Sequence, residues 1–502
     1  MSPHARTSNY ILFSDVHLGA DLVQHVRPWT RKRLRKIAEV DRDLSAMLDH
    51  YRENADPDRP WRLIIAGDLV DFIGMSIAPP DAEDGATSAA NLLLTAEERE
   101  HGLGSTAEHA VLKMRAVARR HSGVFDRLAA FVADGHSVAL VRGNHDVEFH
   151  WEAARDALVE AITDRAPDGT DRAVLAKRIT VYPWFYYEEG LLYVEHGHQF
   201  DAMCSYHHVL NPVSPLDPKR ISWSFADLLL RYVVRPTPGL HSHGHEDMGF
   251  VDYLRVAWSF GPGGAVGLAV RYLTATGRAL RRWRAHLGVT AQALRAEHER
   301  RMEALASRHH VGIGVVRSLA ALWPTPVTRG GFAVLRSMFL DRIAFILLAG
   351  LLSILALIFL PLLWGAGTTV ALFLALLAVT QVTERFRGPD LDPAETMRAA
   401  ARHIANILPT RYVVMGHTHQ PKMIDVGNDA TYVNLGNWGS DELDDKLGAS
   451  RTHLVLRWLD GELETEFLRW VPGLGPELVA VELESPDGTL VAPTFLDAAP
   501  NG

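Results

Sequence analysis

Short apolar, β-branched runs recur along the chain, and each is followed at once by polar residues able to bind a metal. Residues 10–13 lead to Ser14, Asp15, Val16 and His17, and residues 63–65 lead to Gly67, Asp68 and Asp71. Residues 138–141 lead to Gly143, Asn144, His145 and Asp146. Residues 191–194 lead to His196, Gly197 and His198, and residues 412–415 lead to Gly416, His417, Thr418 and His419. Each run has strand length, and helix-like stretches such as 31–52 and 107–133 lie between them. Strands alternating with helices predict an α/β fold. In such sheets ligands bind beyond the carboxyl ends of the strands, so the five polar clusters are expected to converge on one edge.

A different pattern occupies 343–383, where 41 consecutive positions carry no charge. Residues 343–360 are almost purely aliphatic. Pro361, Gly365 and Gly367 interrupt the run, and 370–379 resume it. A membrane-spanning helix needs about 20 apolar residues, with a range of about 17–25. The Pro and Gly positions predict a turn between two helices. Arg336 and Arg342 flank one end and Arg385 and Arg387 the other. Basic flanks on both sides predict a hairpin that dips into or crosses a membrane with both ends cytoplasmic. Burial of the hairpin inside a helical domain is the alternative. Arg271, Arg278, Arg281, Arg282, Trp283 and Arg284 precede it, a composition that suits an anionic lipid surface.

Composition narrows the class. With 502 residues, 47% hydrophobic and 22% charged, the chain is globular rather than disordered or fibrous. The single cysteine, Cys204, excludes an intramolecular disulfide and a cysteine zinc finger, and it reads as a packing residue. The net charge of −9 argues against bulk nucleic-acid binding. The charge is uneven, because 201–342 carry 18 Lys and Arg against 10 Asp and Glu. The first residues predict no targeting segment, since the apolar run at 9–14 is too short for a secretory signal.

The polar clusters have the chemistry of a dinuclear metal site. Two cations held close together need a bridging carboxylate, and Asp68 suits that role, after a glycine that lets the backbone turn tightly. Imidazole and carboxylate donors suit Mn, and also Fe, Zn or Mg. The series Asp15-Val16-His17, Gly67-Asp68-Leu69-Val70-Asp71, Gly143-Asn144-His145-Asp146, His196-Gly197-His198 and Gly416-His417-Thr418-His419 resembles the calcineurin-like metallophosphoesterase superfamily. The resemblance covers about 8–200 and 411–470. Its closest look is to bacterial UDP-2,3-diacylglucosamine pyrophosphatases, through the Phe13-to-Leu18, Gly416-to-Pro421 and Val433-to-Trp438 phrases. The chain departs from that group at His145, where arginine is typical, and at His198, where aspartate is typical. Its insertion is also long and holds the apolar hairpin.

The resemblance implies two packed mixed β-sheets flanked by helices. The domain would comprise 1–200 and 411–475, with a helical insertion at 201–410 and a tail at 476–502. It implies one metal on Asp15, His17, Asp68 and His419, and another on Asp68, Asn144, His196 and His417. It also implies hydrolysis of a phosphoester by hydroxide that the metal pair activates. Within the motif His145 reads as the general acid, with Asp71 or Asp146 orienting its ring. His198 reads as a phosphate contact, a support to the ligands or a structural residue. Arg142 reads as a solvated strand-end residue or a phosphate contact. His241, His243 and His245 form a second metal-like cluster, expected in a loop. The expected substrate is a lipid-linked phosphate or pyrophosphate, met at the cytoplasmic face of the cell membrane. The alternatives are a phosphodiesterase or phosphatase on a soluble nucleotide or nucleic-acid substrate, with the hairpin as anchor only, and a catalytically inactive membrane scaffold.

Overall fold

A computed structural model describes residues 8–23, 31–77, 94–237, 261–337, 340–385, 392–439, 451–479, 483–484 and 490–491. His241, His243 and His245 lie outside the described residues. Among the described residues the fold is mixed α/β, with two seven-stranded sheets and a two-stranded ribbon flanked by helices.

The strands are β1 (Asn9–Phe13), β2 (Trp61–Ile65), β3 (Ser137–Val141), β4 (Ile179–Tyr182), β5 (Phe185–Glu188), β6 (Leu192–Glu195), β7 (Val213–Ser214) and β8 (Asp217–Ile221). They continue as β9 (Tyr412–Met415), β10 (Lys422–Gly427), β11 (Ala430–Asn434), β12 (Thr452–Leu459), β13 (Glu462–Val471), β14 (Gly475–Leu478), β15 (Leu483–Glu484) and β16 (Leu490–Val491). The first sheet runs β14-β13-β12-β1-β2-β3-β4 and the second β16-β15-β10-β11-β9-β6-β5. β1 to β4 are parallel neighbours, and so are β6, β9 and β11.

Strands β1 to β3 read as continuous apolar runs because both of their faces are covered. Ile11, Phe13, Leu63, Ile65, Val138 and Leu140 face helices Arg31–Glu53, Ala107–Arg120, Ser122–Ala133 and Glu152–Thr163. Tyr10, Leu12, Ile64, Ala139 and Val141 pack instead against Tyr186, Leu192, Val194, Val414 and Val433 of the second sheet. The second sheet's far face is covered by two helices of the insertion, Val289–Arg308 and Ile313–Ala320, and by Pro393–Ile407. His309 caps the first of these, and its ring stacks on Phe185 of β5 at 4.8 Å.

Three details differ from the sequence reading. The five polar clusters leave two sheets, not one edge: β1, β2 and β3 belong to the first, and β6 and β9 to the second. The stretch at 107–133 is two helices broken at His121, whose ring accepts from the Gly19 amide at 3.0 Å and bonds Asp41 at 2.8 Å. In the apolar hairpin the turn falls at Pro361, between helices Leu340–Phe359 and Leu362–Arg385. Gly365 lies inside the second helix, where a Cβ would press on the Ala356 carbonyl, so it permits close helix contact.

Among the described residues no helix is long and apolar enough to cross a membrane. The hairpin does present an exposed aliphatic surface, with Leu347 67%, Ile358 66% and Leu363 87% exposed. It is therefore not buried inside a helical domain.

Candidate metal centre

The strand ends deliver their side chains through a strained backbone. Asp15, His17, Asp68, His417 and His419 all have φ between 54° and 68°. Left-handed backbone is uncommon for non-glycine residues and costs of order 1–3 kcal/mol each, so it persists where the surroundings impose it. Five such residues at three strand ends turn their side chains into one space. Gly67, beside Asp68, has φ 91° and lies so close to His196 that a Cβ would overlap the ring.

The donors fall into overlapping groups. Asp15, His17 and His419 form one, and Asp15, Asp68 and His196 another, each with donor atoms within 4.8 Å of one another. His419 Nε2 lies 3.3 Å from Asp15 Oδ1. His17 Nε2 lies 3.8 Å from Asp15 Oδ1 and 3.9 Å from Asp68 Oδ2. Asn144 Oδ1 lies 3.1 Å from His196 Nε2, and the His417 ring is 5.3 Å from the His196 ring. All seven expected ligands are thus brought together, with Asp68 between the two sets.

His196 shows what this space accommodates. Its Nδ1 faces the Ala66 carbonyl at 2.8 Å, and a carbonyl only accepts, so Nδ1 carries a proton. Its Nε2 faces two more acceptors, Asp68 Oδ2 at 3.1 Å and Asn144 Oδ1 at 3.1 Å. Lone pairs converging in a buried space need a positive charge between them, either a second imidazole proton or a metal cation. Burial pushes the His196 imidazole down, but Asp68 and Asp15 overcome it and raise it to about 9. Burial alone would raise the Asp15 carboxyl, yet His196 and His419 bring it to about 2. Asp68 is held well below the usual carboxylate range by His196 and His145, against the effect of burial. Ionised carboxylates, imidazoles and one amide oxygen in this arrangement fit divalent cations.

His145 sits at the rim. Its Nδ1 bonds Asp71 Oδ1 at 2.7 Å, and its ring meets His17 edge-on at 4.6 Å. Burial lowers the imidazole, but Asp71 and Asp68 outweigh it and raise it to about 10. Asp71 is therefore the carboxylate that orients His145. Asp146 is not: its oxygens accept from the Leu69 amide at 3.0 Å and the Gly143 amide at 2.6 Å, joining the turns after β2 and β3. Burial and Asp68 push the Asp146 carboxyl up to about 7.

The expectation for Arg142 changes, and His198 falls within the readings left open for it. Arg142 is buried, not solvated, and donates to the Val209 carbonyl of the insertion. His198 is buried behind the centre, its ring 5.4 Å from His196 and 5.7 Å from Tyr206. Burial and His196 hold its imidazole well below its ordinary range.

Two supporting residues escaped the sequence reading. Asp201 Oδ2 meets His417 Nε2 at 3.1 Å, and the Asp201 carboxylate also takes a hydrogen bond from the buried Cys204 thiol. A carboxylate on a ligating imidazole fixes its ring orientation. The signal was available, since Asp201 follows His198 by three residues. Asn434 donates to Gly416 O and Thr418 Oγ1, both at 2.9 Å, which shapes the turn carrying His417 and His419. No protein-family model matches the chain, and no curated protein matches it.

Proposed function

We propose that the chain is a metal-dependent phosphoester hydrolase of the calcineurin-like kind, held at the cytoplasmic face of a membrane and acting on a lipid-linked phosphate or pyrophosphate. The observation that carries the reading is the convergence of Asp68 Oδ2, Asn144 Oδ1 and His196 Nε2. Asp15, His17, Asp68 and His419 would hold one divalent ion, and Asp68, Asn144, His196 and His417 the other. Such a pair supplies a lowered water pKa and charge neutralisation at the phosphoryl oxygens.

The chain's own residues do the rest. As a P–O bond forms to water and the opposite P–O bond breaks, His145 Nε2 gives its proton to the leaving oxygen. Asp71 holds the Nδ1 proton, which keeps Nε2 turned to the substrate and stabilises the imidazolium. Asp201 and Ala66 fix the His417 and His196 rings. The exposed aliphatic hairpin supports a membrane setting, in which a lipid-linked substrate is within reach.

The purified protein in detergent should hydrolyse aryl phosphates, bis-aryl phosphodiesters or lipid pyrophosphates under Mn²⁺, Mg²⁺ or Zn²⁺. No turnover on any of them would refute the hydrolase reading. His145→Ala should lower kcat on poor leaving groups by roughly 10²–10⁴ while metal content holds. Nitrophenyl esters should suffer less. Equal losses on both would argue against proton donation by His145.

A further inference from the structure

The insertion reaches into the catalytic dyad through one side chain. Arg235 Nη2 donates to Asp71 Oδ2 at 3.2 Å, while Asp71 Oδ1 takes His145 Nδ1 at 2.7 Å. Both carboxylate oxygens of Asp71 are thus committed, one to the imidazole and one to a guanidinium 164 residues away. Arg235 Nη1 also points to the Ala20 carbonyl at 3.4 Å, which ties the same guanidinium to the loop after β1.

The backbone is shaped for this pairing. Arg235 closes a π-helical turn, Leu230–Val234, its amide bonding the Leu230 carbonyl at 2.9 Å. Short π-helical turns are frequent at functional sites. Val233 and Val234 anchor the turn in a core with Trp223, Phe225 and Leu268. Opposite Arg235, Gly74 leaves the space: a Cβ there would overlap both Asp71 Oδ2 and Arg235 Nη2. The Gly74 amide donates to Asp71 Oδ1 at 2.7 Å. Lys113, fully buried, donates to the Phe72 carbonyl at 2.7 Å, and the Phe72 amide holds the His145 carbonyl at 3.0 Å.

We infer that Arg235 is a positioning residue for His145: through Asp71 it fixes the acid's ring, so the insertion completes the proton-donating apparatus and does more than hold a substrate. This rests on the hydrolase reading for its kinetic test. Partners that orient metal-ligating side chains move activity by roughly 10–100-fold when removed, and we take the same range for a partner that orients the acid through a carboxylate.

Arg235→Met should lower kcat on alkyl phosphoesters by that factor, leave KM and metal content unchanged, and alter nitrophenyl ester turnover far less. Free guanidinium should restore part of the loss. Gly74→Ala, which displaces the pair without removing a charge, should reproduce the same selectivity, and it serves if Arg235→Met does not fold. A second readout needs no turnover: the downfield His145 Nδ1 proton in ¹⁵N-histidine spectra should shift or broaden in either variant. Equal losses on both leaving groups, or an unchanged His145 proton, would overturn the inference. If the wild type hydrolyses no phosphoester, the hydrolase reading fails, and the proton resonance still decides whether Arg235 positions His145.

Discussion

Asp68→Ala should abolish hydrolysis and strip bound metal. Asp68 lies between the two donor sets, 3.1 Å from His196 and 3.9 Å from His17, and its other oxygen accepts the His145 amide at 2.9 Å. On the proposed reading, removing it deletes the ligand shared by both ions and frees the His145 amide that Asp68 holds. Metal ions supply several kcal/mol of transition-state stabilisation, so the loss should exceed roughly 10³-fold. The fold should survive, because the parallel core of β1, β2 and β3 lies outside the site. Metal analysis and activity, with circular dichroism to check the fold, make the comparison. Two full equivalents of metal in the folded variant would refute the assignment of Asp68.

The second large effect concerns location. Removing 343–383 and bridging the gap with Gly and Ser should move the protein from the membrane pellet to the supernatant. Leu347, Ile354, Ile358, Phe359, Leu363 and Trp364 are each more than half exposed. Moving six such side chains into hydrocarbon is worth on the order of 6–10 kcal/mol, at least what one myristoyl chain supplies. The proposed ligands all lie outside the deleted segment, so metal binding and turnover of a small soluble ester should persist. Turnover of a bilayer-embedded substrate should fall. A folded deletion variant that stays in the pellet after high-salt washing would show that the hairpin is not the anchor.

The strands and the ligand clusters were legible because their causes are local. Parallel strands covered on both faces read as apolar runs, and the residues just after them are the imidazole, carboxylate and amide donors that converge. The division of Asp71 and Asp146 into an imidazole partner and a loop fastener was not legible, since both stand near His145 and only the turn geometry separates them. Arg235 was hidden for another reason: its partner is 164 residues away and neither periodicity nor spacing links them. The break at His121 depends likewise on contacts with Gly19 and Asp41, 102 and 80 residues off. The glycines of the apolar hairpin suggested a turn, whereas Gly365 serves helix contact and Pro361 alone marks the turn.

The central claim is that two divalent ions share Asp68. Manganese titration followed by electron paramagnetic resonance tests it most directly. The account predicts saturation at two ions per chain, with the spectrum of an exchange-coupled pair at full loading. Saturation at one ion, or two ions with uncoupled spectra, would contradict it.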